Sequence, residues 1–233
     1  MTMWNLHHLA RVAGEGLEAR ARALDAEQGV EGLDARDELE LHPLLASAFE
    51  REGFGVHREV AYPTEPRRRA FRSERPRCDL VLTPEPGQRP CDPAHEDRLR
   101  EDARGTLFAP APRPAALVEP AACLWLEVKA VGQFACVLGV PGPNGAYASE
   151  LTGALAGDLR KLAADSAIGP AGLLLVLFTA DERTARHDVE LAISRALSRG
   201  VRVGFPGTFA FPIADRMGNG RCTVALVPTW AGM

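Results

Sequence analysis

The sequence predicts an α/β protein whose core is a mixed four-stranded sheet flanked by helices. The elements run helix, three strands, helix, strand, with one helix added in front and a helix and small β element behind. Three observations carry this. Leu124 to Val131 is an apolar run holding one acid and one base two residues apart, Glu127 and Lys129. Gly172 to Thr179 is apolar on both alternating faces, as in a strand covered from both sides. Between them Leu151, Leu155, Leu159 and Leu162 recur at helical spacing.

Taken in order, Leu6, Leu9, Val12, Leu17 and Leu24 predict a helix over residues 4–28, followed by a Gly-containing linker over 29–32. Asp34 is the expected N-cap of a second helix, 35–52, closed by Gly53. Pro43 lies inside that span and either kinks the helix or starts it. Its stripe of Leu41, Leu44, Leu45, Ala48 and Phe49 extends one turn back to Glu38 and His42 at i and i+4. Val56 to Tyr62 alternates as a strand, and Cys78 to Thr83 forms the next, with Asp79 as an isolated acid.

Six arginines crowd residues 67–77 between those strands: a solvated loop or a phosphate-contacting arm. Residues 84–121 carry eight prolines and predict an irregular excursion, with a short helix near 94–104. After the central strand, Gly139–Gly145 reads as a loop, Ser149 as the cap of a helix running to about Asp165, and 182–199 as a helix ended by Gly200. From Val201 to about Val227 short β-like segments alternate with turns, Gly218-Asn219-Gly220 being a hairpin signal. Residues 1–33 therefore read as a helical appendage, 34–200 as the main domain and 201–233 as a β extension packed on it.

On the central strand, residues i and i+2 share a face. Glu127 and Lys129 therefore emerge together with Trp125, while Leu124, Leu126 and Val128 take the other face. Charges on so apolar a strand must pair, bind an ion or do chemistry. Asp79 on one strand and Glu127-Val128-Lys129 on a later one form the pattern that holds a divalent cation beside a lysine.

This order of elements, with Asp79, Glu127-Val128-Lys129 and an acid-bearing first helix, resembles the PD-(D/E)XK nuclease superfamily, which includes restriction endonucleases, Holliday-junction resolvases and phage exonucleases. The resemblance covers about residues 35–180. Cys78 stands where the motif has proline, and the excursion lengthens the gap between Asp79 and Glu127. In resolvase-like members the first-helix acid lies a turn closer to the closing Gly-Phe, so His42 occupies that place and Glu38 precedes it.

The resemblance implies a restriction-endonuclease-like core and Mg²⁺- or Mn²⁺-dependent hydrolysis of phosphodiester bonds. Asp79, Glu127 and the Val128 carbonyl would hold the ion, and Lys129 would orient water or stabilise charge. Glu38 or His42 would hold a second ion or position water. Arg67, Arg68, Arg69, Arg72, Arg160 and Lys161 would contact phosphates, Arg160 and Lys161 being equally readable as a solvated helix face. Gln133 would touch the substrate or end the strand. The implied partner is DNA, with RNA still open, and a homodimer fits the family's habit.

Two rivals stand beside this: a structural Glu127–Lys129 ion pair, and a catalytically silent nucleic-acid-binding or interaction subunit on the same fold. The chain contains no G-x-x-x-x-G-K-[ST] phosphate loop and no G-x-S-x-G elbow. Its five cysteines form no C-x-x-C pair. A net charge of −4 confines phosphate binding to a local basic patch. No signal peptide or membrane span is evident, so a cytoplasmic protein is expected.

Overall fold

The computed structural model describes residues 4–64, 76–93, 96, 116–137 and 139–230. Helix α1 (Leu6–Ala26) begins at Asn5, whose side chain accepts the His8 N–H. A 3-10 turn at Leu33–Ala35 then leads to α2 (Glu38–Arg51). The cap of α2 is Asp37 rather than Asp34. Asp37 accepts the Glu40 N–H at 2.8 Å, and Glu40 accepts the Asp37 N–H at 3.1 Å, a reciprocal capping box. Asp34 instead accepts a hydrogen bond from Asn219. Pro43 sits within α2, and the helix runs through it. Gly53, at φ +95°, makes the left-handed turn that closes α2.

Strands β1 (Gly55–Ala61) and β2 (Arg77–Thr83) pair antiparallel. The short strands β3 (Arg89–Pro90) and β4 (Leu117–Val118) pair with each other in parallel, tying together the two described ends of the Pro-rich excursion. The expected helix near 94–104 falls almost wholly outside the described residues. The central strand is β5 (Leu124–Gly132). Residues expected as a plain loop complete a hairpin, β6 (Phe134–Val137) with β7 (Val140–Pro143).

Ser149 does not cap a helix with its side chain. A helical turn, Tyr147–Ser149, and a π-helical stretch, Glu150–Ala154, precede α3 (Leu155–Ala164). Then follow β8 (Pro170–Thr179), α4 (Glu182–Ser198, capped by Asp181), β9 (Gly207–Pro212) and β10 (Arg221–Trp230).

The main sheet has six strands, in the order β1-β2-β5-β8-β10-β9. Only the β5–β8 pair is parallel. The four expected strands are its first four. The small β element expected behind them instead joins the sheet, because β10 is apolar enough to be buried and pairs with all ten residues of β8. The Gly218-Asn219-Gly220 segment is not a free hairpin turn: Asn219 is buried and bonds the Phe134 backbone at both N–H and C=O.

Two helices cover each face. Leu124, Leu126 and Val128 of β5, with Leu174, Val176 and Phe178 of β8, pack under α1 and α2. Leu173, Leu175 and Leu177 face α3 and α4, while Trp125 packs with Tyr62, Val81 and Leu162. The split of β5 into two faces matches the alternation of its sequence. Among the described residues, no helix is long and apolar enough to cross a membrane.

Burial sets the stability ranking. Leu174 is fully buried, so Leu174→Ala should cost about 2–5 kcal/mol by chemical denaturation. Asp37→Ala, which removes one cap, should cost about 1 kcal/mol. Equal losses in the two variants would contradict this picture of the core.

Candidate metal centre

Strands β2 and β5 pair only from Leu80 to Leu82 against Leu124 to Leu126. One residue further, at Asp79, the ladder gives way. The Asp79 carboxylate, not a backbone carbonyl, accepts the Val128 N–H at 2.8 Å. In an extended strand a residue's N–H and C=O point to the same edge, so the Val128 carbonyl faces the same gap.

Groups from both helix layers meet at this opening. From α2 come Glu38 and His42, one turn apart. One ligand atom each of Glu38, His42 and Asp79 lies within 4.8 Å of the others, close enough for the three to hold one metal ion. His42 is fully buried, and neither ring nitrogen has a hydrogen-bond partner among the described residues. Burial lowers its pKa, against the pull of Glu38, so the imidazole is neutral near pH 7 and open to ligation.

From the opposite face comes Glu127, 4% exposed. Its Oε1 accepts the Tyr62 hydroxyl at 2.5 Å and the Lys161 ammonium at 2.7 Å. Lys161 also donates to the Arg77 carbonyl at 3.0 Å and lies 5.0 Å from the centre of the Tyr62 ring. Lys161 is thus not on a solvated helix face; it pins the central glutamate. Tyr62, itself stacked on Trp125, is held protonated by burial and by the charges around it, and serves as a donor.

Lys129 does not pair with Glu127. It reaches Glu38, 3.1 Å away, which argues against the structural Glu127–Lys129 pair. Burial pulls both lysines down, but their acid partners leave each raised, so both are cationic.

The carboxylates are crowded. Burial first, then the neighbouring Asp79, pushes Glu127 up to about 7. Burial also raises Asp79, against the pull of the Val128 N–H. Asp158 on α3 rises to about 6 through burial and the Glu127 charge. Asp158 is a site residue that motif reasoning missed. Its signal was the i, i+3 spacing with Lys161, which puts both on the flank of the Leu155–Leu159–Leu162 stripe. Nothing in sequence pointed to Tyr62.

Arg160 and Gln133 lie away from this cluster. Arg160 is exposed on α3. Gln133 ties strand ends together, its N–H donating to the Phe178 carbonyl and its side-chain carbonyl accepting the Ala180 N–H. Arg67, Arg68, Arg69 and Arg72 lie outside the described residues.

No protein-family model matches the chain, and neither the curated proteins nor the solved structures contain a match to it.

The raised carboxyls destabilise the metal-free protein as pH rises, while His42, lowered by burial, acts in the opposite direction below pH about 6.5. Glu127 binds its proton more tightly when folded than when unfolded. Its contribution to stability is therefore fully present below pH about 4.5 and is lost as pH rises through about 7. Asp158 acts in the same direction between pH about 3.8 and 6. In EDTA, wild-type thermal stability should fall relative to that of Glu127→Gln from pH 5 to pH 8. A slope unchanged in the Gln variant would show that Glu127 titrates normally.

Proposed function

We propose that the chain is a metal-dependent nuclease hydrolysing phosphodiester bonds of DNA, built on a restriction-endonuclease-like core of the PD-(D/E)XK kind. The observation that carries this reading is the triad of Glu38, His42 and Asp79 where the β2–β5 ladder opens, with the Glu127 charge beside Asp79 and Lys129 paired to Glu38. The topology supports it: α2, the meander β1-β2-β5, then α3 and a β8 strand parallel to β5 reproduce the αβββαβ order.

The donor set fits a divalent cation. Asp79, Glu127 and Glu38 offer oxygens, the Val128 carbonyl faces the gap, and His42 offers a nitrogen. Among the described residues, Asp79, Glu127, Glu38 and Asp158 face two ammonium groups, so a dication relieves the excess negative charge. When bound, Mg²⁺ or Mn²⁺ would supply Lewis acidity toward a phosphoryl oxygen and a coordinated water.

The protein's own groups do the rest. Lys161 and Tyr62 occupy Glu127 Oε1, fixing the carboxylate. The Val128 N–H holds Asp79 in the same way. Lys129 spends one of its three N–H donors on Glu38. Its others are available to orient the attacking water or stabilise charge on the phosphoryl group. Arg160 and the arginines of residues 67–77 are the proposed phosphate contacts beyond the centre.

The silent-subunit reading leaves a buried imidazole beside two carboxylates, with no hydrogen-bond partner among the described residues, which disfavours it. Incubation with plasmid, linear and single-stranded DNA in Mg²⁺, Mn²⁺ or EDTA tests the proposal. Cleavage should require the metal and should fall at least about 100-fold in Glu127→Gln and in Lys129→Met. DNA bound but never cut would instead favour the silent subunit.

A further inference from the structure

The single nitrogen donor bears on which metal the centre takes. His42 lies on α2 beside Leu41 and two residues before Leu44, in a stripe that packs against the sheet. Leaving a buried polar group unpaired costs about 1–3 kcal/mol. An imidazole that only filled space here would be inferior to a leucine, which fits the stripe without that cost. Its exposure is zero, so water does not satisfy it from bulk solvent. The donors beside it are the carboxylates of Glu38 and Asp79. The ring therefore has the surroundings of a ligand.

Mg²⁺ is a hard ion that favours oxygen donors and keeps several waters, whereas imidazole suits the first-row transition ions. An all-oxygen centre would give the transition ions less advantage than one that presents a nitrogen. We propose that this centre is a mixed nitrogen–oxygen site that binds Mn²⁺ and its heavier first-row neighbours in preference to Mg²⁺, with His42 as a direct ligand. The proposal rests on reading Glu38, His42 and Asp79 as metal ligands, and is independent of the substrate.

The test is calorimetric titration of the purified chain with MnCl₂ and with MgCl₂, without nucleic acid. The wild type should bind Mn²⁺ at least about tenfold more tightly than Mg²⁺. His42→Leu should lose most of that difference, Mn²⁺ affinity falling more than Mg²⁺ affinity. Pulsed electron paramagnetic resonance on the Mn²⁺-loaded wild type needs no variant and should show the ¹⁴N coupling of a coordinated imidazole.

Equal wild-type affinities for the two ions would overturn the proposal. So would unchanged Mn²⁺ binding in a folded His42→Leu variant, or a Mn²⁺ spectrum without ¹⁴N coupling. The outcomes separate from those of the nuclease reading. Nitrogen-coupled Mn²⁺ with no DNA cleavage defeats the nuclease and keeps this centre. Cleavage with no preference between the metals does the reverse.

Discussion

One hydrogen bond shapes the centre: the Val128 N–H donates to a side chain where a sheet would offer a backbone carbonyl. Because the Asp79 carboxylate takes that position, β2 and β5 separate without leaving the amide unpaired, which burial would otherwise penalise. The separation lets side chains from opposite faces of the sheet come near one another. Glu38 and His42 approach from the α2 layer, and Glu127 with Lys161 from the α3 layer. A continuous ladder would hold these groups apart behind a wall of backbone.

Around that opening, three of the acids are each held on one side by a donor. Asp79 has the Val128 amide, Glu127 has Tyr62 and Lys161, and Glu38 has Lys129. Such clamping fixes rotamers that electrostatic repulsion would otherwise scatter. It also leaves the cluster short of positive charge, which is why burial and mutual repulsion raise the proton affinity of Asp79, Glu127 and Asp158 together. His42 is the one member with neither clamp nor charge.

Much of this was legible in the chain. The apolar, two-faced pattern of Gly172–Thr179 forces a central strand, and the period-2 alternation of Leu124–Val131 fixes which residues share a face. Asp79, Glu127 and Lys129 stood out because isolated charges interrupt apolar runs. Their partners did not, since Lys161 and Tyr62 lie 34 and 65 residues from Glu127, and no local period encodes a contact across a sheet. The cap of α2 was misplaced because Asp34 and Asp37 are both good caps. Only Asp37 has Glu40 three residues on to close the box. The tail was underestimated because its strands flank an eight-residue connection whose Gly-Asn-Gly stretch imitates a tight turn. The fate of that asparagine, buried against Phe134, depends on a hairpin 85 residues away.

The sheet's spatial order also differs from its order of synthesis. β8 lies between β5 and β10, yet β10 is made forty-two residues after β8 ends, following α4 and β9. Until residues 221–230 have left the ribosome, one whole edge of the most apolar strand has no neighbour. The Asn219 bonds that brace the backbone just beyond the Glu127–Lys129 strand are equally absent. The nascent chain therefore carries every residue of the candidate metal centre well before the sheet that braces it is complete. A chain cut short before β10 would leave the apolar edge of β8 open and adhesive, one strand away from Glu127 and Lys129 of β5.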